Sequence, residues 1–184
     1  MKVLLMNASP KADGATQEIL LTVKSALPQG YETEMLCLGD VKIGFCLGEK
    51  TCYETGRCIL DDDMNTVMNL IDAADALVIA APSYWADVPA QFKAFIDRCT
   101  VYGDTNPNPT RRTLKPGKKC YAAALRAGTR TTECEHIIET IAHWCGHMQI
   151  EPAGSMFFCG ISDKSDTEKH KPEIISKTKS WFSE

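Results

Sequence analysis

"ALVIAAPSYWADVPAQFKAFIDR", residues 76–98, decides the fold. Ala76 to Pro82 is a short, uninterrupted apolar run, the kind a parallel sheet buries on both faces. Pro89 then stands where a helix would begin, and Phe92, Phe95, Ile96 and Cys99 recur at helical spacing as its buried face. A strand followed directly by a helix is one half of a βαβ unit. The same alternation runs outward in both directions.

Upstream, "KVLLM" at 2–6 predicts a first strand, and "TEMLCL" at 33–38 a second. Between them Ile19, Leu20, Val23 and Leu27 share one helical face, closed by Pro28 and Gly30. Met64, Val67, Met68 and Ile71 mark a helix after "DDDM". Downstream, "KCYAAAL" at 119–125 predicts a fourth strand. A helix follows over about 131–145, burying Ile137, Ile138, Ile141 and Cys145 and stopped by Gly146. A fifth strand falls within 148–158, and a terminal helix runs from Pro172 to Phe182 with Ile174, Ile175 and Trp181 inward. Five strands alternating with helices imply an α/β fold: a doubly wound parallel sheet with helices on both faces. The flavodoxin-like order 2-1-3-4-5 suits this element count, and it puts a ligand crevice between strands 1 and 3, beyond their carboxyl ends.

The 184 residues suit one domain spanning 1–184, with a cysteine loop at 39–60 and a polar linker and helix at 160–184. A formal net charge of -4 argues against nucleic acid or an anionic membrane as partner, since both need a basic face. No apolar run approaches the roughly 18 residues of a membrane span. "MKVLLMNASP" is too short an apolar start for a signal peptide. A cytoplasmic protein is expected. Its nine cysteines then read as thiols or metal ligands rather than a disulfide framework.

Two loops must line the crevice, 7–16 and 82–88. In the first, Ser9 and Thr16 offer hydroxyls, Lys11 a cation and Gly14 a tight turn. The N–H groups of Ala15, Thr16 and Gln17 open the helix with its dipole behind them, which suits a phosphate as well as plain capping by polar residues. No Walker A motif and no Gly-x-Gly-x-x-Gly is present, so a mononucleotide fits better than a dinucleotide. In the second loop, Tyr84 and Trp85 offer a flat apolar wall and Ser83 a hydrogen bond, the combination an isoalloxazine ring wants.

"MNASPKADGAT" resembles the Gly-Ser-Pro-Arg-x-x-Gly-Asn-Thr phosphate loop of the NADPH-dependent FMN reductase and iron-sulfur flavoprotein families. "APSYWADVPAQFKAFIDR" is similar to their second signature, Thr-Pro-Val-Tyr-x-x-x-x-Pro-Ala-x-x-Lys-x-Phe-Ile-Asp-Arg. The resemblance covers nearly the whole chain. It implies a flavodoxin-like fold with FMN bound non-covalently. It also implies Ser9, Lys11, Ala15 and Thr16 at the phosphate, and Pro82, Ser83, Tyr84, Trp85 and Ala86 along the ring. Arg126 and Gly128, in "LRAGTR", would approach from a third loop. Ala8 and Lys11 depart from the usual Gly and Arg, and lysine is a point charge without the arginine fork.

The activity implied is an FMN-dependent oxidoreductase. NAD(P)H, as transient co-substrate, would reduce FMN, which then serves a quinone, flavin or protein acceptor. Hydride transfer of this kind requires no catalytic side chain. The alternatives are an iron-sulfur flavoprotein relaying single electrons between a partner protein and FMN, and a flavin-binding regulatory module without turnover. A homodimer or homotetramer is implied as well.

The cluster reading turns on "FCLGEKTCYETGRC", residues 45–58. The iron-sulfur branch reads Cys-x-x-Cys-x-x-Cys-x(4–7)-Cys there. Cys46, Cys52 and Cys58 align with the first, third and fourth ligands, and Glu49, a hard oxygen donor, takes the second position. One ligand short, the loop is expected to carry thiols rather than a cluster. His143 and His147, spaced i, i+4, resemble half a zinc site, but a helix ended by Gly146 would part them. Asp61, Asp62 and Asp63 are read as acidic residues favoured by a helix dipole.

Overall fold

The computed structural model describes residues 1–183. Five strands form one parallel sheet: β1 (Lys2–Asn7), β2 (Glu32–Cys37), β3 (Ala76–Pro82), β4 (Lys119–Leu125) and β5 (Glu151–Phe158), in the order β2-β1-β3-β4-β5. The order agrees with the sequence expectation. Six helices connect and follow them: α1 (Ala15–Ala26), α2 (Thr51–Thr55), α3 (Met64–Ala73), α4 (Ala90–Arg98), α5 (Thr131–His147) and α6 (Lys171–Trp181).

Alternate residues of the central strands go to opposite faces. Leu4, Met6, Leu77, Ile79, Cys120 and Ala122 pack with residues of α3, α4 and α5. Val3, Leu5, Val78, Ala80, Tyr121 and Ala123 pack with residues of α1 and α6. The two apolar layers explain why β1 and β3 read as continuous apolar runs. On the α6 side, the Trp181 ring stacks on Tyr121 at 4.8 Å, over Gly154, where a Cβ would lie 2.7 Å from the indole nitrogen.

One detail differs from the sequence expectation, and another lies outside it. Gly146 does not stop α5. The helix continues to His147, and the left-handed residue that ends the turn is Gln149 (φ 58°). His143 and His147 therefore stay one turn apart on one face, their Nε2 atoms 3.1 Å apart, with His147 Nδ1 2.9 Å from Asp104. The detail outside it is Arg98. It falls inside the buried stripe of α4, its side chain 1% exposed.

Arg98 answers to Asp62. Its Nη1 and Nη2 donate to the two carboxylate oxygens at 2.5 and 3.1 Å, and Nη1 also reaches the Gly44 carbonyl at 3.0 Å. Asp62 in turn accepts the N–H groups of Gly44 (2.9 Å) and Met64 (3.1 Å). One ion pair thus holds the entry and exit of the cysteine loop against α4. Asp63 accepts the Lys42 N–H at 2.7 Å. The acidic run is therefore more than a dipole complement, since two of its members tie down the loop.

Burial raises the Asp62 carboxyl, but the Arg98 hydrogen bonds and the two N–H groups outweigh it, so it titrates below its ordinary value. The pair's contribution is then complete above the unfolded value of about 4 and is lost as pH falls through the lower folded value. Asp62→Asn leaves a buried guanidinium without its counter-charge and is expected to lower the unfolding free energy by about 3 kcal/mol. Circular dichroism during acid titration should show a shallower loss of stability below about pH 4 in this variant than in the parent.

Candidate functional site

The carboxyl ends of β1, β3 and β4 open into a cleft of about 380 Å³. Beneath it, at the end of β1, Asn7 is fully buried. The Asn7 side chain donates to the Lys11 carbonyl (3.0 Å) and Gln17 Oε1 (3.1 Å), and accepts the Ser9 N–H at 2.9 Å. The Ser9 hydroxyl accepts the Lys11 N–H at 3.1 Å. Together these bonds wrap the 7–16 loop around the start of α1. Gly14 occupies the N-cap and can supply no capping side chain, so the first-turn N–H groups of Ala15 and Thr16 are left to face the cleft. The Gln17 N–H, expected to be free as well, instead donates to the Gly14 carbonyl at 3.0 Å.

Of the residues expected at the site, Ser9, Lys11, Ala15, Thr16, Pro82, Ser83, Tyr84 and Arg126 all line this cleft. Trp85, Ala86 and Gly128 do not. The reason for the first two is a two-residue turn. Tyr84 and Asp87 exchange backbone hydrogen bonds at 2.8 and 3.2 Å, and the residues between them, Trp85 and Ala86, both have positive φ, 53° and 66°. Such a mirror-image turn normally uses Gly, Asn or Asp. Here it swings the Trp85 ring fully into solvent while Tyr84 stays at the cleft. Gly128 lies behind the Arg126 guanidinium, which a Cβ at 128 would strike.

Arg126 is held from the far side. Glu133, on the first turn of α5, pairs with its Nη1 at 2.7 Å and accepts the Ser83 hydroxyl at 2.9 Å. Glu133 thereby joins the β3 and β4 loops across the mouth. The Arg126 Nε is buried without a partner. Sequence reasoning missed Glu133, because nothing in its spacing marks it as a partner of loops 50 and 7 residues away. It also missed Ile161, Ser162, Asp163 and Lys164, which complete the rim. They come from the segment after β5, brought in where the Ile161 N–H meets the Arg126 carbonyl at 2.9 Å.

The cysteine loop forms a separate cavity of about 200 Å³, lined by Cys46, Glu49, Cys52 and Cys58 among others. Gly48 and Lys50 adopt left-handed conformations (φ 67° and 62°), and Glu49 between them accepts the Thr51 N–H at 2.7 Å. The carboxylate is thus engaged with the first backbone N–H of α2. The Cys52 thiol titrates above its ordinary value through burial, then through the nearby Glu49, Cys58 and Cys46. Among the described residues, no three His, Cys, Asp or Glu side chains converge as a metal-ligand set, the His143–His147 pair included.

The chain belongs to the NADPH-dependent FMN reductase family, whose model matches residues 1–155. An iron-sulfur flavoprotein of Archaeoglobus fulgidus is 36% identical over 134 residues, covering 72% of this chain and 58% of that protein. An FMN-dependent NADH:quinone oxidoreductase of Colwellia psychrerythraea is 28% identical over 198 residues, covering 96% of this chain and all of the relative. Among solved structures, an FMN-dependent NADH-azoreductase of Bacillus anthracis in complex with FMN superposes with a TM-score of 0.71 at 16% identity, over the full length of both chains. That likeness establishes the flavodoxin-like fold.

The cluster of the iron-sulfur relatives finds a poor fit here. Three thiols share the loop cavity, but the remaining donor there is the Glu49 carboxylate, already engaged with a backbone N–H. Glu49→Cys would complete the thiolate set. After anaerobic reconstitution with iron and sulfide, the variant is expected to gain stoichiometric iron and broad visible absorbance, and the parent neither. At the other loop, Ala86→Gly removes a left-handed penalty of about 1–2 kcal/mol against a glycine entropy cost of about 0.5–1 kcal/mol. Chemical denaturation should show the variant more stable by about 0.5–1 kcal/mol.

Proposed function

We propose that the chain is an FMN-dependent oxidoreductase that takes a hydride from NAD(P)H and passes electrons to a small acceptor such as a quinone or free flavin. One observation carries this reading: the cleft joins an uncapped helix N-terminus and Lys11 to an apolar wall ending in a fixed arginine. A phosphate suits the first end. A flat conjugated ring with polar edges suits the second.

In this reading the N–H groups of Ala15 and Thr16, the Ser9 and Thr16 hydroxyls and Lys11 hold the phosphate. Pro82, Tyr84 and Leu125 supply apolar contact. Ser83 and Arg126 present polar groups at the ring's edge, oriented by Glu133. Trp85, Ala86 and Gly128 act indirectly, the first two by shaping the turn that carries Tyr84 and the last by making room for Arg126. The bound FMN supplies the redox chemistry, and the chain supplies position and charge.

The relatives named iron-sulfur flavoproteins favour the second reading, single-electron relay, and the missing ligand counts against it. The nine free thiols suit a reducing compartment such as the cytoplasm. No helix among the described residues is long and apolar enough to cross a membrane. Exposed Phe45, Leu47, Ile59 and Trp85 support association with further copies of the chain.

The test is a spectrum and a titration. Purified protein should carry flavin absorbance, and FMN should bind at least about 100-fold more tightly than riboflavin, because only FMN reaches the phosphate end. Lys11→Ala should weaken FMN about tenfold and leave riboflavin unchanged. Bound flavin bleached by NADH or NADPH and restored by a quinone completes the reading. A colourless protein that does not take up FMN ends it, and flavin that neither nucleotide bleaches leaves a binding module without turnover.

A further inference from the structure

A second cavity, about 440 Å³, lies between the end of the cysteine loop, the start of α3 and the segment after α4. It shares no lining residue with the flavin cleft. Three arginines reach it, Arg57, Arg98 and Arg112, and no Asp or Glu is among the described residues of its wall. Guanidinium groups brought together in this way repel one another unless counter-charges stand nearby. Arg98 has Asp62 behind it, and Arg112 has only a 3.7 Å contact with Asp72. Arg57 is exposed and pairs with no carboxylate among the described residues.

Independent features point the same way. Arg98 is 2% exposed, and its Nε is buried without a hydrogen-bond partner. Met64 and Asn65, the first two residues of α3, form part of the wall, so the positive end of a 10-residue helix adjoins the arginines. The Met64 N–H is already taken by Asp62, so that end is only partly open.

The wall is held in place from outside. Asn106 donates to the Cys52 carbonyl at 3.3 Å, and Asn108 to those of Tyr53 and Glu54 at 3.2 and 2.7 Å. Both asparagines are buried, so the 101–112 segment is fastened to α2 rather than draped over it. A structural role accounts for Arg98 alone. It does not account for Arg57 and Arg112 converging on the same space.

We propose that this cavity binds a phosphate monoester with an organic body, the class that includes mononucleotides. Guanidinium pairs match phosphate oxygens two by two. The volume exceeds what a bare ion fills and falls in the range of roughly 300–1,000 Å³ typical of small-molecule sites. Leu60, Met64 and Val101 give the organic part an apolar contact.

The test uses the chain saturated with FMN and titrates AMP, inorganic phosphate and adenosine by isothermal calorimetry. AMP should bind once beyond the flavin without changing its absorbance, at least about tenfold more tightly than adenosine or phosphate. Arg112→Gln should weaken AMP about tenfold, and Arg57→Gln/Arg112→Gln further, with FMN affinity unchanged in both. Both positions lie at the surface, so folding is retained. No AMP uptake at millimolar concentration overturns the proposal. So do displacement of FMN, adenosine or phosphate binding as well as AMP, and a loss of less than about threefold in the double variant. Should the chain not take up FMN, the flavin reading fails, and the same titration of the flavin-free chain still decides this one.

Discussion

Every strand of the sheet points the same way, and that constraint organises the rest of the molecule. Parallel strands need crossovers, and crossovers cover both faces, so every carboxyl end emerges on one edge. The loops after β1, β3, β4 and β5 therefore meet, although they lie far apart in sequence. A cleft at that edge follows from the topology. Its chemistry then depends on small choices in the loops: a glycine that cannot cap α1, and a glutamate that holds Ser83 and Arg126 together.

The loop carrying Tyr84 shows strain placed next to a site. Two consecutive non-glycine residues with positive φ cost free energy, and they fall in the short connection between β3 and α4. The turn holds Tyr84 at the cleft and leaves Trp85 in water. An exposed indole next to a cleft is a ready contact for a second molecule.

The cysteine loop and the cleft belong to different neighbourhoods. The loop is anchored by the Arg98–Asp62 pair and by two buried asparagines, and its thiols line a cavity apart from the cleft. The chain's relatives include iron-sulfur flavoproteins, yet beside its three thiols this loop holds Glu49, whose carboxylate accepts the Thr51 N–H. The arginine cavity beyond Cys58 depends on the same anchors, so the Arg98–Asp62 pair supports two features at once.

The five strands, every helix but α2, the sheet order and eight residues of the cleft were legible from the sequence, because apolar period and loop chemistry are local properties and the two signature loops resemble those of a known family. β3 and β4 match the expected bounds residue for residue, and the buried stripe of α3 is the one its spacing gives. What needed tertiary structure was every feature built from distant partners. Gly146 reads as a helix stop, but packing of Trp144 and Cys145 carries α5 past it. Arg98 has no local partner in the sequence, and only the fold brings Asp62 beside it. Glu133, the rim from 161–164 and the three converging arginines have no local signature. The sequence by itself determined which segments could be buried, since burial follows from side-chain period. Only the folded chain decided which polar groups would face each other, since charge pairs and cavities depend on where the crossovers bring those segments.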